Sequence, residues 1–288
     1  MAMLGYEFMQ RAFWAGGLIG VIGPVLGVFL MLRRQVLMAD TLSHVSLAGV
    51  ALGSFLKLNP AISGFAIAII GALVIEQLRR VYRTYTEVPV AIIMTSGLAL
   101  SVVLMSLNQN LSKSFSSYLF GSIVAVSDTQ LRLIAVVAAV GIIFFVGLRR
   151  PLYNFAFDEE TAAVSGMRVS LLSFLFAVFT GMTVAAAMPV VGVLLVSALI
   201  VLPASIALRM ATGFLAAMGI AVVVGLSGVF SGLAASYYLN TPPGGTIALI
   251  LLGFLIMAVI FQKLLRLQNR RSIQKITGNR SHKNYEEI

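Results

Sequence analysis

Long apolar runs separated by short polar links fill most of this chain. Runs of the length that crosses a bilayer, roughly 17 to 25 residues, fall at about 12–32, 40–58, 60–78, 88–107, 131–148, 169–188, 190–208, 214–238 and 246–263. The pattern predicts an all-α, polytopic transmembrane helical bundle of about eight to nine spans over residues 1–262, followed by a basic, partly disordered tail at 263–288.

One run breaks its own pattern. Within Met38–Gly53 stand Asp40, Ser43 and His44. On a helix, positions i and i+4 share a face, so Asp40 and His44 point the same way with Ser43 beside them. An acid and an imidazole in lipid are costly, and their default reading is a functional site facing the protein interior or a water-filled path. If the run is one continuous span the count is nine, and Asp40 lies near the inner end. If it is re-entrant or broken the count falls to eight, and the Asp40 region moves toward the outer side, where irregular backbone must line a cavity or be buried in protein.

Small residues recur four apart at Gly16/Gly20, Gly23/Gly27, Gly49/Gly53 and Gly228/Gly232. In lipid such faces let helices approach closely. Pro24, Pro189 and Pro203 lie in or at the ends of apolar runs and are expected to shape helices. The segment 108–127 begins too polar to span and reads as an outer loop followed by a short helix dipping into the membrane. The link 149–168 carries Arg149-Arg150-Pro151 and then Asp158, Glu159, Glu160, Thr161 and Ala162, with Gly166 further on. Acids leading a short Ala-rich stretch suit a helix N-terminus and glycine suits its end. A surface helix this short needs a partner to hold it.

Charge adds direction. With the Arg33-Arg34 link inside and the spans alternating, 16 of the 20 Lys and Arg fall on the inner side, and the tail with them. The positive-inside rule then places the C-terminus in the cytoplasm. Composition agrees with a membrane protein: 59% apolar, 10% charged, mean hydropathy +1.00. The net charge of +10 is thereby a matter of topology and lipid headgroups, and nucleic acid is not an expected partner. Zero cysteines exclude disulfides and thiolate metal sites.

Only Asp40 and His44 are intramembrane residues able to ligate a metal well. Glu76 precedes Arg79 and Arg80 by three and four residues and reads as a surface ion-pair partner. A carboxylate with an imidazole suits zinc, manganese or iron. One of each makes half a four-coordinate site, which a two-fold dimer would complete. A structural hydrogen-bonded pair is the alternative. The chain has no Gly-x-x-x-x-Gly-Lys-[Ser/Thr] loop, so energy from a separate subunit, delivered through Asp158–Arg168, is expected. A gradient-driven carrier is the competing class. An intramembrane metalloprotease lacks its His-Glu-x-x-His pair.

The run Leu32–Ala51, with Asp40-Thr41-Leu42-Ser43-His44-Val45-Ser46-Leu47-Ala48-Gly49 at its heart, resembles the membrane permeases of zinc/manganese ABC transporters of the ZnuB/AdcB type. Tyr118–Ser122, Phe157–Ala162 and Val201–Arg209 are similar to the same family, and the similarity runs through nearly the whole chain. The resemblance implies a non-catalytic, homodimeric permease in a bacterial plasma or inner membrane. Its partners would be a pair of cytoplasmic ATPase subunits and an extracytoplasmic metal-binding protein. It implies no permanently bound cofactor, Asp40 and His44 on the metal path, and a coupling helix at about 158–168. The Ala48-Gly49 ending looks like the zinc members, where manganese members tend to carry Pro-Gly.

Overall fold

A computed structural model of the chain describes residues 5–285 apart from 83, 84, 86, 108–111, 123, 125, 158 and 165. The described residues form twelve α-helices and one 3₁₀ turn: α1 (Glu7–Leu32), α2 (Leu37–Phe55), α3 (Pro60–Val81), α4 (Glu87–Ser106), α5 (Ser112–Phe120), α6 (Asp128–Gly147), α7 (Arg149–Phe157), α8 (Glu159–Val164), α9 (Val169–Val191), the turn Val193–Leu195, α10 (Val196–Met210), α11 (Phe214–Leu239) and α12 (Pro243–Tyr285). Eight helical stretches are long and apolar enough to cross a membrane, the last being Pro243–Leu264 of α12. The ninth long helix, α2, has 19 residues and thus about 28 Å of length, and its polar side chains keep it out of that set.

Helix ends follow local chemistry. The Asn59 side chain accepts from the Ala61 and Ile62 N–H groups at 3.1 and 3.4 Å, with Pro60 in the first turn of α3. Ser127 and Gln130 form a reciprocal capping box on α6. α1 and α2 each end in a left-handed residue, Arg34 (φ 56°) and Lys57 (φ 58°). In both turns the next N–H reaches back five residues, Gln35 to Leu30 and Leu58 to Gly53, the closure usually made with glycine.

The helices gather in two groups around α9. α2 packs on α3 and α4, while α1 packs on α10, α11 and α6, and α11 on α12. The four glycine pairs each serve such a contact. A Cβ on Gly16 or Gly20 would meet Val229 or Leu226 of α11, and one on Gly23 or Gly27 would meet Ile200 of α10. Gly49 and Gly53 lie against Gly64 and Ser63 of α3, and Gly228 and Gly232 against Leu251 and Ile247 of α12. Between them a ring cluster fills the centre, Phe29 stacking on Phe145 at 5.1 Å and meeting Phe176 and Phe214 edge-on.

Three sequence expectations need correction. The apolar pattern puts the boundary between the sixth and seventh spans at Pro189. Helix α9 instead runs through that proline, at the loss of one intrahelical hydrogen bond, and stops at Gly192 with φ 85°. Residues 149–157, read as part of a link, form α7, with Leu152, Phe155 and Ala156 buried. Glu76 is paired with Arg79 (2.8 Å) and Arg80 (3.5 Å) as expected, but it is buried, and it also accepts from Ser173 Oγ at 2.6 Å. The spacing shows the ion pairs; the cover comes from α9, which no local pattern reveals.

The short helix expected after the loop is present as α5. Its last residues pack against the α9 break: Tyr118 and Leu119 lie on the cluster of Leu47, Val50, Met188 and Val193. Gly121 (φ 77°), Gly192 and Gly244 meet there with backbone against backbone, since a Cβ on Gly192 would fall on Leu119–Gly121 and one on Gly244 on Val191.

Candidate functional site

Helix α2 is continuous from Leu37 to Phe55, so this run is not a broken helix. It lies antiparallel to α3, Gly53 near Pro60 and Ser63, Gly49 on Gly64 and Ile67, Val45 on Gly71. Gly71 is at the middle of α3, and the same Val45 also sits on Gly97 at the middle of α4. His44, next to Val45, therefore stands at mid-height of two spanning helices. Asp40 is one turn, about 6 Å, toward the end that bears Arg33 and Arg79.

From Met38 to Ala51 every residue of α2 is buried except Asp40 and His44, which are half-buried. The other polar side chains in that stretch are satisfied. Thr41 Oγ1 donates to the Val90 carbonyl at 3.4 Å, Ser43 Oγ to Ala39 at 2.9 Å and Ser46 Oγ to Gly64 at 3.2 Å. Asp40 and His44 differ from them. Asp40 Oδ1 accepts one long bond, 3.4 Å from Ser197 Oγ of α10, and His44 Nδ1 is buried with no partner. The two make no hydrogen bond or ion pair with each other, so the structural-pair alternative finds no support in the geometry. Buried polar groups are rarely left in this state without a reason.

Among the described residues no group of three or more His, Asp or Glu comes together. Ser197 is the residue sequence reasoning missed; it is one hydroxyl in an apolar run, and only the α2–α10 contact gives it meaning.

At the arginine-bearing end lies a second polar cluster. Arg33, read from sequence as a topology signal, has a side chain only 3% exposed and pairs with Glu159 of α8 at 3.1 Å. Its guanidinium carbon lies 3.7 Å over the ring of Phe155 on α7 and 5.3 Å from that of Phe176 on α9. The Gln35 side-chain oxygen accepts from Arg33 Nη2 at 3.3 Å and from both terminal nitrogens of Arg79 at 2.8 Å. Burial, then the charge of Arg79, lowers the Arg33 pKa to about 10 against the opposing pull of Glu159 and Glu76.

Helix α8 spans Glu159–Val164, shorter than the 158–168 expected. Ala162 is buried, and Gly166 (φ 78°) ends the turn, with Met167 N donating to the Ala162 carbonyl at 3.4 Å. Asp158 lies outside the described residues, as do the side chains of Glu160 and Thr161.

The ABC 3 transport family matches residues 5–262. A probable metal transport system membrane protein of Treponema pallidum is 32% identical over 89% of this chain and 96% of its own. The high-affinity zinc uptake system membrane protein ZnuB of Haemophilus influenzae is 29% identical over 90% of this chain and 98% of its own. A manganese transport system membrane protein, MntC of Halalkalibacterium halodurans, is 26% identical over 90% and 89%. Among solved structures, PsaBC from Streptococcus pneumoniae in complex with Fab superposes with a TM-score of 0.80 at 27% identity, covering 89% of this chain and 93% of that one.

Proposed function

This chain belongs to the ABC 3 transport family, and from that premise we propose that the ion it conducts is zinc, held in passage by Asp40 and His44 from two copies of the chain. Family membership makes it the multi-pass permease subunit of an ABC metal importer and not its ATPase, so the gradient-driven carrier falls away. One observation carries the site. Asp40 and His44 are the two under-satisfied, half-buried polar residues in the otherwise buried stretch Met38–Ala51 of α2, and His44 is at mid-height of the bundle.

In a two-fold pair these residues supply two carboxylates and two imidazoles, a four-ligand set that suits zinc. Zinc over manganese is supported by the Ala48-Gly49 ending and by the relative named for zinc uptake. Sixteen of the 20 basic residues belong to the Arg33/Arg79 end and the tail, which supports a cytoplasmic C-terminus. The ATPase pair then docks around α8, with Asp158, Glu159, Glu160, Thr161, Ala162 and Gly166 forming the coupling surface. An external metal-binding protein docks at the α5 end. ATP binding rocks the two copies and exposes the ion first to one side and then to the other.

Radioactive zinc uptake by cells carrying Asp40→Ala or His44→Ala is expected to fall by more than about tenfold, the scale on which metal sites lose function when their ligation is disturbed. Wild-type uptake in both variants would overturn the site. Competition of the uptake by manganese at equal concentration would reassign the ion while leaving the site in place.

A further inference from the structure

Just below the metal path, a cavity of about 390 Å³ is walled by Arg33, Arg34, Gln35, Arg79 and Glu87 together with the first turn of α2. Three arginines and one acid line it, and two of the arginines also pair outside it, Arg33 with Glu159 and Arg79 with Glu76. Nearby Glu76 and Glu159 are already engaged, Glu76 by Arg79, Arg80 and Ser173, and Glu159 by Arg33. Yet Arg33 Nη1 and Arg79 Nε are buried without any acceptor. An unpaired guanidinium N–H in a buried site costs free energy, and Phe155 and Phe176 hold the Arg33 plane so that it cannot swing out to find water.

The geometry points to a binding site for a phosphate-type anion in this cavity. Planar guanidinium groups favour oxyanions with two or more acceptor oxygens, and the volume is large enough for a phosphate with substituents, whereas a lone halide would leave most of it empty. The arginines that line the cavity disfavour a cation. The N-terminus of α2 opens onto the same space with Leu37 and Met38, adding its positive dipole end. The cavity is one turn from Asp40, at the arginine-rich end of the bundle, where a phospholipid headgroup or a free phosphate can enter. A bound anion would shield an ion at Asp40 from the arginines below it.

The test uses the full chain, purified and stripped of lipid, and reads Tm and native mass spectra with inorganic phosphate, phosphatidylglycerol or phosphatidylcholine added. Phosphate or phosphatidylglycerol is expected to bind and raise Tm, and phosphatidylcholine to do neither. Arg34 and Glu87 are exposed, so their variants keep the fold. Arg34→Gln should weaken binding about threefold and Glu87→Gln strengthen it about threefold, the scale of an exposed charge. Arg33→Lys should weaken it about tenfold through loss of the planar donor set. A response to inorganic phosphate alone assigns a free anion; a response to phosphatidylglycerol alone assigns a headgroup. No response to either, or the same affinity in wild type, Arg34→Gln and Glu87→Gln, would overturn the proposal.

Discussion

Arg33 and Glu159, 126 positions apart in sequence, meet at 3.1 Å. The ion pair fastens the α1–α2 link, four residues ahead of α2, to α8. Its two halves are unequal, for Arg33 is 3% exposed and Glu159 about half exposed.

That inequality sets a prediction. Glu159→Ala leaves a buried guanidinium without its acid, and the expected loss is about 1–3 kcal/mol, below the cost of a fully buried pair because water reaches the Glu159 side. Thermal unfolding in detergent checks it, and Glu159→Asp should recover part of the loss. If α8 is the ATPase dock, zinc-stimulated ATP hydrolysis should fall in the same variants.

Glu76 is a stricter case. Its carboxylate is buried and serves Arg79, Arg80 and Ser173 together. Glu76→Gln keeps the shape and the bond from Ser173 while leaving two arginines uncompensated, and should cost about 3–5 kcal/mol. A Tm within a degree of wild type would show that the arginines find other acceptors.

The glycines separate into those that hold helices together and those that do not. At Gly27 a Cβ would run into the Ile200 backbone, whereas at Gly253 it would meet nothing within 4 Å. Gly27→Ala should destabilise by about 1–3 kcal/mol or more, and Gly253→Ala should stabilise by up to about 1 kcal/mol through helix propensity. Measured side by side in detergent, the pair should shift Tm in opposite directions.

Lys57 ends α2 in the left-handed region with its side chain exposed. Lys57→Gly relieves the Cβ clash that such a conformation imposes, and a gain of about 1 kcal/mol is expected. Lys57→Val, with its branched Cβ, should move Tm the other way.

How much of this was readable from sequence depends on range. Apolar length reveals the spans, and four-residue glycine spacing reveals the packing faces, because both are properties of one helix. Asp40 and His44 stand out for the same reason: they are polar where their own helix is apolar. What failed to show were facts made by two elements at once. Glu76 and Arg33 read as surface charges until α7, α8 and α9 cover them, and Ser197 reads as an ordinary serine until α10 meets α2. The boundary at Gly192 was displaced to Pro189 because proline is the stronger breaker in isolation, although a glycine at positive φ ends the helix here.

The meeting of Gly121, Gly192 and Gly244 has a consequence in time. Its three backbones come from segments separated by 71 and 52 residues, so the junction cannot close until the last of them has left the ribosome and the start of α12 is in place. Val193, beside the break, shares a cluster with Val50, five residues or about 7.5 Å along α2 from mid-height. That is well inside an apolar layer about 30 Å thick, where open backbone groups go unsatisfied. The half of the bundle that holds this junction is thus the last part to mature, and a chain ending before Pro243 leaves the helix break at Gly192 without the Gly244 backbone that covers it.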